Sequence, residues 1–186
     1  MRNIISLSHI SLDGFMAGPG GDMSFIRFDS ELADHTYPLM ATVDTAVYGR
    51  TTYEMMEGYW PDELDSTDRH SREHARWYRD VAKIVASRTL SEAKNNVRVV
   101  GDDIAGALRA EKRSPGGDIM IFASPTLTRA LADADLIDEW RLTIQPEILG
   151  GGLPLFAGKR TKLDLRSSKT FSSGVIAAHY VTRRQA

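Results

Sequence analysis

Cysteine is absent from all 186 residues, which removes disulfides, thiolate zinc sites, iron–sulfur clusters and a cysteine nucleophile. Long apolar runs are missing too. Nothing approaches about 18 uninterrupted apolar residues, and polar residues break up Met1 to Asp13 too often for a signal-peptide core, so the expectation is a soluble, cytoplasmic protein. Neither sign of charge dominates: the formal net charge is -2 and the pI about 6.2, which argues against nucleic acid or an anionic membrane as partner. No linker, repeat or low-complexity segment divides the chain. With 42% hydrophobic and 26% charged residues, one domain spanning 1–186 is expected, with a sizeable core.

What is present centres on Asp44 to Glu54. Thr45 to Tyr48 is short, apolar and strand-favouring, Gly49 breaks it, and Tyr53 to Glu57 is compatible with a helix. A strand running through Gly49, Arg50, Thr51 and Thr52 into a helix suits an anion, because first-turn N–H groups, the helix dipole, two hydroxyls and a guanidinium converge. The plainer alternative is a turn at Gly49, an N-cap at Thr51 or Thr52 and a surface charge at Arg50.

The pattern recurs along the chain. Residues 3–12 read as a first strand ended by Asp13-Gly14 and a flexible loop over 17–22. Residues 31–42 have helical spacing, with Pro38 expected to divide or kink the helix. Ser66 to Asp80 reads as a charged helix with Trp77 and Val81 on its buried side. Strands follow at 82–86 and 96–100, a helix at 104–112, a doubly buried strand at 118–123, and a helix with Ser124 as N-cap and Pro125 at its first position. Strand 140–144, a glycine loop at 150–152 and a terminal hairpin of 161–171 and 175–182 complete the chain. Alternating strands and helices predict an α/β fold, a mostly parallel twisted sheet flanked by helices with an antiparallel C-terminal hairpin. Ligands bind such sheets beyond the carboxyl ends of the strands. Three ends carry phosphate-compatible groups: 49–52, 87–89 and 124–126.

These residues resemble the dihydrofolate reductase-like superfamily, and most closely stand-alone proteins similar to the C-terminal reductase domain of the bifunctional riboflavin-biosynthesis deaminase/reductase. The matching segments are 11–17, 49–54, 85–90, 124–127, 136–142, 146–152 and 155–156. Together they cover nearly the whole chain in order. The resemblance implies a three-layer dihydrofolate reductase-like fold, a homodimer and NADPH as cofactor. Gly49, Arg50, Thr51 and Thr52 would then hold cofactor phosphates. Ser87, Arg88 and Thr89 would lie near the adenosine 2′-phosphate, and Ala123, Ser124, Pro125, Thr126 and Leu127 around the pyrophosphate. Met16 and Ala17 would lie against the nicotinamide, with Leu149, Gly150 and Gly151 flanking the same pocket. Asp13, Phe25, Tyr53 and Glu147 are the substrate-side expectations, Asp13 also as the catalytic acid.

The implied reaction is hydride transfer to a small pteridine- or ribosylaminopyrimidine-like heterocycle, as in dihydrofolate reductase or 5-amino-6-(5-phosphoribosylamino)uracil reductase. The rival is a non-catalytic nucleotide-binding or sensing protein that keeps the cofactor cradle. Two departures stand out: Phe15 replaces the lysine usual in the riboflavin enzymes, and Ala123-Ser124-Pro125 replaces a glycine-rich turn. No fused deaminase is expected, since its zinc site needs cysteines and residues 1–186 hold none. Among other residues, Asp13-Gly14 is also a turn signal, and His9 also suits a hydrogen-bonded strand histidine. Trp60, like Tyr53, suits either a pocket wall or the core. His70-Ser-Arg-Glu-His74 matches a zinc-peptidase pattern, but its charged neighbours favour a solvated helix face and no metal.

Overall fold

The computed structural model describes residues 1–90, 94 and 96–183. Alternation within the central strands explains the layering, since successive side chains point to opposite faces. In β3 (Val43–Gly49), Val47 packs with one buried cluster, while Ala46 and Tyr48 pack with another. In β6 (Asp118–Phe122), Ile119 and Ile121 join the first cluster, Met120 and Phe122 the second. Such strands need cover on both sides. Leu108 of α4 (Ile104–Arg113) and Leu127 and Leu131 of α5 (Pro125–Asp133) supply it on one face. Tyr53 of α2 (Arg50–Glu57) and Tyr78 of α3 (Arg69–Asp80) supply it on the other.

With β1 (Ile4–Ile10), β4 (Ala82–Ala86), β5 (Val97–Val100), β7 (Glu139–Ile144), β9 (Leu163–Thr170) and β10 (Ile176–Thr182), the sheet has eight strands in the order β5-β4-β3-β6-β1-β7-β10-β9. The first six are mutually parallel, and β10 runs antiparallel to both β7 and β9. The expected architecture is therefore present, including the terminal hairpin. Leu32 of α1 (Ser30–Met40) packs with Phe171, Val175 and Ala177, tying that helix to the hairpin.

Several local expectations shift. α1 runs through Pro38 and ends two residues later, so the proline divides nothing. Near the helix end it removes one main-chain bond while the fixed φ still suits a helix. α2 begins directly after Gly49, which puts Thr51 and Thr52 inside its first turn. α3 starts at Arg69 because Asp68 caps it, accepting the Ser71 N–H at 2.7 Å. A small ladder was not foreseen: β2 (Phe15–Ala17) pairs antiparallel with β8 (Leu153–Pro154). Among the described residues no helix is long and apolar enough to cross a membrane.

Candidate functional site

The polar edge of the site begins where β3 and β6 end side by side. Ser124 sits at the N-cap position of α5, but its side chain does not cap that helix. Its backbone is left-handed (φ 52°), as is that of Ala123 (φ 47°). That turn swings the Ser124 hydroxyl back towards β3, where Oγ accepts the Gly49 N–H at 2.9 Å and donates to the Phe122 carbonyl at 2.9 Å. This corrects the capping expectation and explains the departure from a glycine-rich turn, since the chain keeps a left-handed path with two residues that adopt it at a cost.

One bond thereby joins two helix starts. Neither α2 nor α5 has a side-chain cap, so both leave first-turn N–H groups and positive dipole ends at this edge. Arg50 bridges to the third segment: it donates to Thr89 Oγ1 at 2.6 Å and pairs with Glu54 at 2.7 Å. Ser87 Oγ shapes its own turn by accepting the N–H groups of Thr89 at 3.2 Å and Leu90 at 3.0 Å. Arg88 is exposed and makes no hydrogen bond or ion pair among the described residues. Thr51 is exposed as well, and Thr126 receives only a long 3.4 Å bond from Arg129. The three strand ends singled out in the sequence thus meet, and a multiply phosphorylated ligand fits their donors.

A second rim lies beyond β1 and β7. Asp13 Oδ1 accepts the Ser11 hydroxyl at 2.6 Å and the Leu149 N–H at 3.1 Å, and Oδ2 accepts the Gly150 N–H at 2.8 Å. The Ser11 hydrogen bond leads in holding this carboxyl below its usual range, with the two backbone N–H groups adding to it. Asp13 is therefore an ionised anchor for the 149–150 loop, and a poor proton donor. Met16 and Ala17 are buried beside that loop, and a Cβ on Gly152 would overlap the Ala17 carbonyl oxygen.

Between α1 and α3 a cavity of about 550 Å³ opens onto β1 and the end of β6. It adjoins the polar edge through Phe122, which lines it and directly precedes Ala123. Trp60 and His74 form a stacked wall with ring centres 3.7 Å apart, and Phe28 meets His9 edge-on at 5.6 Å. Burial pushes His9 down to about 4 and His74 down to about 3, so both imidazoles are neutral near pH 7. Asp29 and Asp68, both on the wall, cap α1 and α3 by accepting the Leu32 and Ser71 N–H groups, which lead in holding these carboxyls low. Tyr37 accepts the His74 N–H at 3.0 Å, and burial above all raises its phenol to about 12.

None of the four substrate-side expectations reaches this cavity. Tyr53 is 4% exposed and packs in the core beside β3, where its apolar ring gains more from burial than from facing a pocket. Phe25 is 3% exposed and is absent from the cavity wall. Glu147 is exposed at a strand end, with its carbonyl accepting the Leu12 N–H. Asp13 is likewise not on that wall. Conversely, His70 and His74 do not lie on a solvated face: both line the cavity, His70 pairing with Asp34 at 2.9 Å. No group of three or more potential metal ligands gathers among the described residues. Asp29 and Tyr37 escaped sequence reasoning, whereas the His70/His74 pair, placed on one helix face by its four-residue spacing, was singled out but assigned to solvent.

Strand order and the antiparallel hairpin define a dihydrofolate reductase-like fold. The chain belongs to the RibD C-terminal domain family, whose model matches residues 2–177. It is 30% identical over 181 residues to the uncharacterized protein YyaP of Bacillus subtilis (strain 168), covering 96% of this chain and 94% of that one. A structure from Shewanella sp. PV-4 described as a riboflavin biosynthesis protein aligns with a TM-score of 0.73 at 25% identity, covering 99% of this chain and 100% of the other. Dihydrofolate reductase from Enterococcus faecalis, complexed with NADP(H) and RAB-propyl, aligns with a TM-score of 0.64 at 13% identity over 98% of this chain and 97% of that one. That last likeness shows the fold.

Proposed function

We propose that the protein is an NADPH-dependent reductase that passes hydride to a conjugated C=N or C=O carbon of a small heterocycle held in the cavity between α1 and α3. The observation that carries this reading is the Gly49–Ser124 bond, which sets two uncapped helix starts side by side within reach of Arg50 and the Arg88 loop. Phosphates would take the N–H groups of 50–52 and of 126–127, with Arg88 free for the 2′-phosphate. The nicotinamide would then lie along Met16 and Ala17, next to the 149–151 loop that Asp13 anchors. Hydride transfer needs the two carbons within about 3.5 Å, and holding them there is the protein's main contribution. The reading includes a single cytoplasmic domain over 1–186 and a homodimer formed through the exposed edge strand β9.

The test is calorimetric titration with both coenzymes, followed by NADPH oxidation with pteridine and pyrimidine acceptors. Arg88→Ala should weaken NADPH by about 1.5 to 3 kcal/mol, tenfold or more, and leave NADH nearly unchanged. Equal loss for both coenzymes would remove Arg88 from the 2′-phosphate. Coenzyme binding without turnover of any acceptor would favour a nucleotide sensor.

A further inference from the structure

Resting on the reductase reading, we propose that the α1–α3 cavity selects flat heterocycles that are neutral or positively charged and carry no phosphate, and rejects phosphorylated ribosylaminopyrimidines. The charge inventory of the wall is the reason. Neither lysine nor arginine lines the cavity among the described residues, whereas two carboxylates, Asp29 and Asp68, do. Of the three histidines on the wall, His9 and His74 stay neutral near pH 7, and His70 is already paired with the Asp34 carboxylate.

A phosphate needs charged donors that match its own charge, and placing it beside carboxylates without them is repulsive. The arginines next in sequence to wall residues are engaged elsewhere, Arg72 on the Ser66 carbonyl. Exposed Arg69 pairs with Asp34 at 2.7 Å, and Arg27 donates to the Ser173 carbonyl at 3.1 Å. Phe15, which stands where the riboflavin enzymes usually carry lysine, is half-buried in the β2–β8 ladder and brings no charge to the rim. By contrast, the stacked Trp60–His74 wall and the Phe28 edge suit a planar ring, and the two carboxylates suit ring N–H or exocyclic amino donors.

The experiment is calorimetric titration, with and without saturating NADPH, of 5-amino-6-ribosylaminouracil, its 5′-phosphate and an unphosphorylated pterin. At least one unphosphorylated ligand should bind, and the ribosylaminouracil should bind at least about tenfold tighter than its phosphate. Equal affinity, a preference for the phosphate, or no heat from any of the three overturns the proposal. Phe28→Lys, which places a cation at an exposed wall position, should narrow the preference by about threefold or more while leaving NADPH affinity unchanged. An unmoved ratio in a folded variant counts against this cavity as the binding place. If the preference holds but NADPH neither binds nor is oxidised, the reductase reading fails and the cavity assignment stands.

Discussion

At the polar edge the groups left to face a ligand are main-chain N–H donors of two uncapped helix starts, and two side chains fix the surrounding turns: Ser124 accepts the Gly49 N–H, and Asp13 accepts the N–H groups of 149 and 150. In the cavity the surfaces are side chains from β1, α1 and α3, brought together from Leu7 to Phe122. The two regions share a strand end at Phe122 and little else. Backbone recognition suits a part common to many reactions, such as a dinucleotide, because it tolerates side-chain drift. Side-chain recognition suits the acceptor, whose identity differs from one relative to the next. Substitutions at the edge should therefore move coenzyme affinity and stability, while those in the cavity should move acceptor choice and pH response.

The sharpest way to break that division is Gly152→Ala. Gly152 has φ +129°, and a Cβ there would overlap the Ala17 carbonyl, which belongs to the rim proposed to lie against the nicotinamide. The combination of forbidden backbone and steric overlap should cost about 2 to 4 kcal/mol in denaturant unfolding. NADPH affinity should fall with it while binding of a pterin in the cavity persists. A variant with unchanged midpoint and unchanged NADPH affinity would show that this rim is not rigid.

The cavity can be tested through its buried imidazoles. A histidine whose pKa is lowered in the folded state binds fewer protons there than when unfolded. Its stability contribution is complete above about 6.5 and is lost as pH falls towards the folded value. For His9 that window runs from about 6.5 to about 4, and for His74 to about 3. The loss should be a few kcal/mol at most, discounted for His74 because that residue keeps some exposure. The Leu32 and Ser71 N–H groups hold the Asp29 and Asp68 carboxyls below the ordinary carboxylate range, so the upper part of the window belongs to histidine. His74→Phe retains a ring against Trp60 and should flatten the melting-temperature profile between pH 6.5 and 4. An identical slope would mean that His74 is already charged in the folded protein.

The difference in legibility between the two regions has a physical origin. Strand β3 ending at Gly49 was readable because propensity, turn chemistry and helix start lie within eleven consecutive residues. The continuous apolar run at 118–123 likewise announced a strand buried on both faces, as β6 is. Ser124 was placed correctly but given the wrong partner, since the N-cap rule assumes extended backbone and the left-handed turn turns the hydroxyl towards β3. The β2–β8 ladder is too short to leave a periodic signal. His74 was misread for a different reason. Its charged neighbours describe the outer side of α3, and nothing local reveals that Trp60 covers the inner side. Asp29 drew no reading from the sequence, since nothing next to it marks the α1 cap as part of a cavity wall.

The smallest expected effect sharpens the comparison at the turn itself. Ala123 holds φ 47°, a region costing an alanine about 1 to 2 kcal/mol relative to glycine, yet its main chain is well tied. Its N–H donates to the Leu7 carbonyl at 3.1 Å, and its own carbonyl accepts the Thr128 hydroxyl at 3.0 Å. Ala123→Gly should relieve the strain but add freedom to the unfolded chain, about 0.5 to 1 kcal/mol in the opposite direction. The net gain should be at most about 1.5 kcal/mol, a rise of a few degrees in melting temperature. If the hydrogen bonds alone define the cradle, NADPH affinity will stay level as stability rises. If affinity drops instead, the methyl group restricts the turn to the phosphate-ready shape, and the edge depends on side-chain sterics as the cavity does.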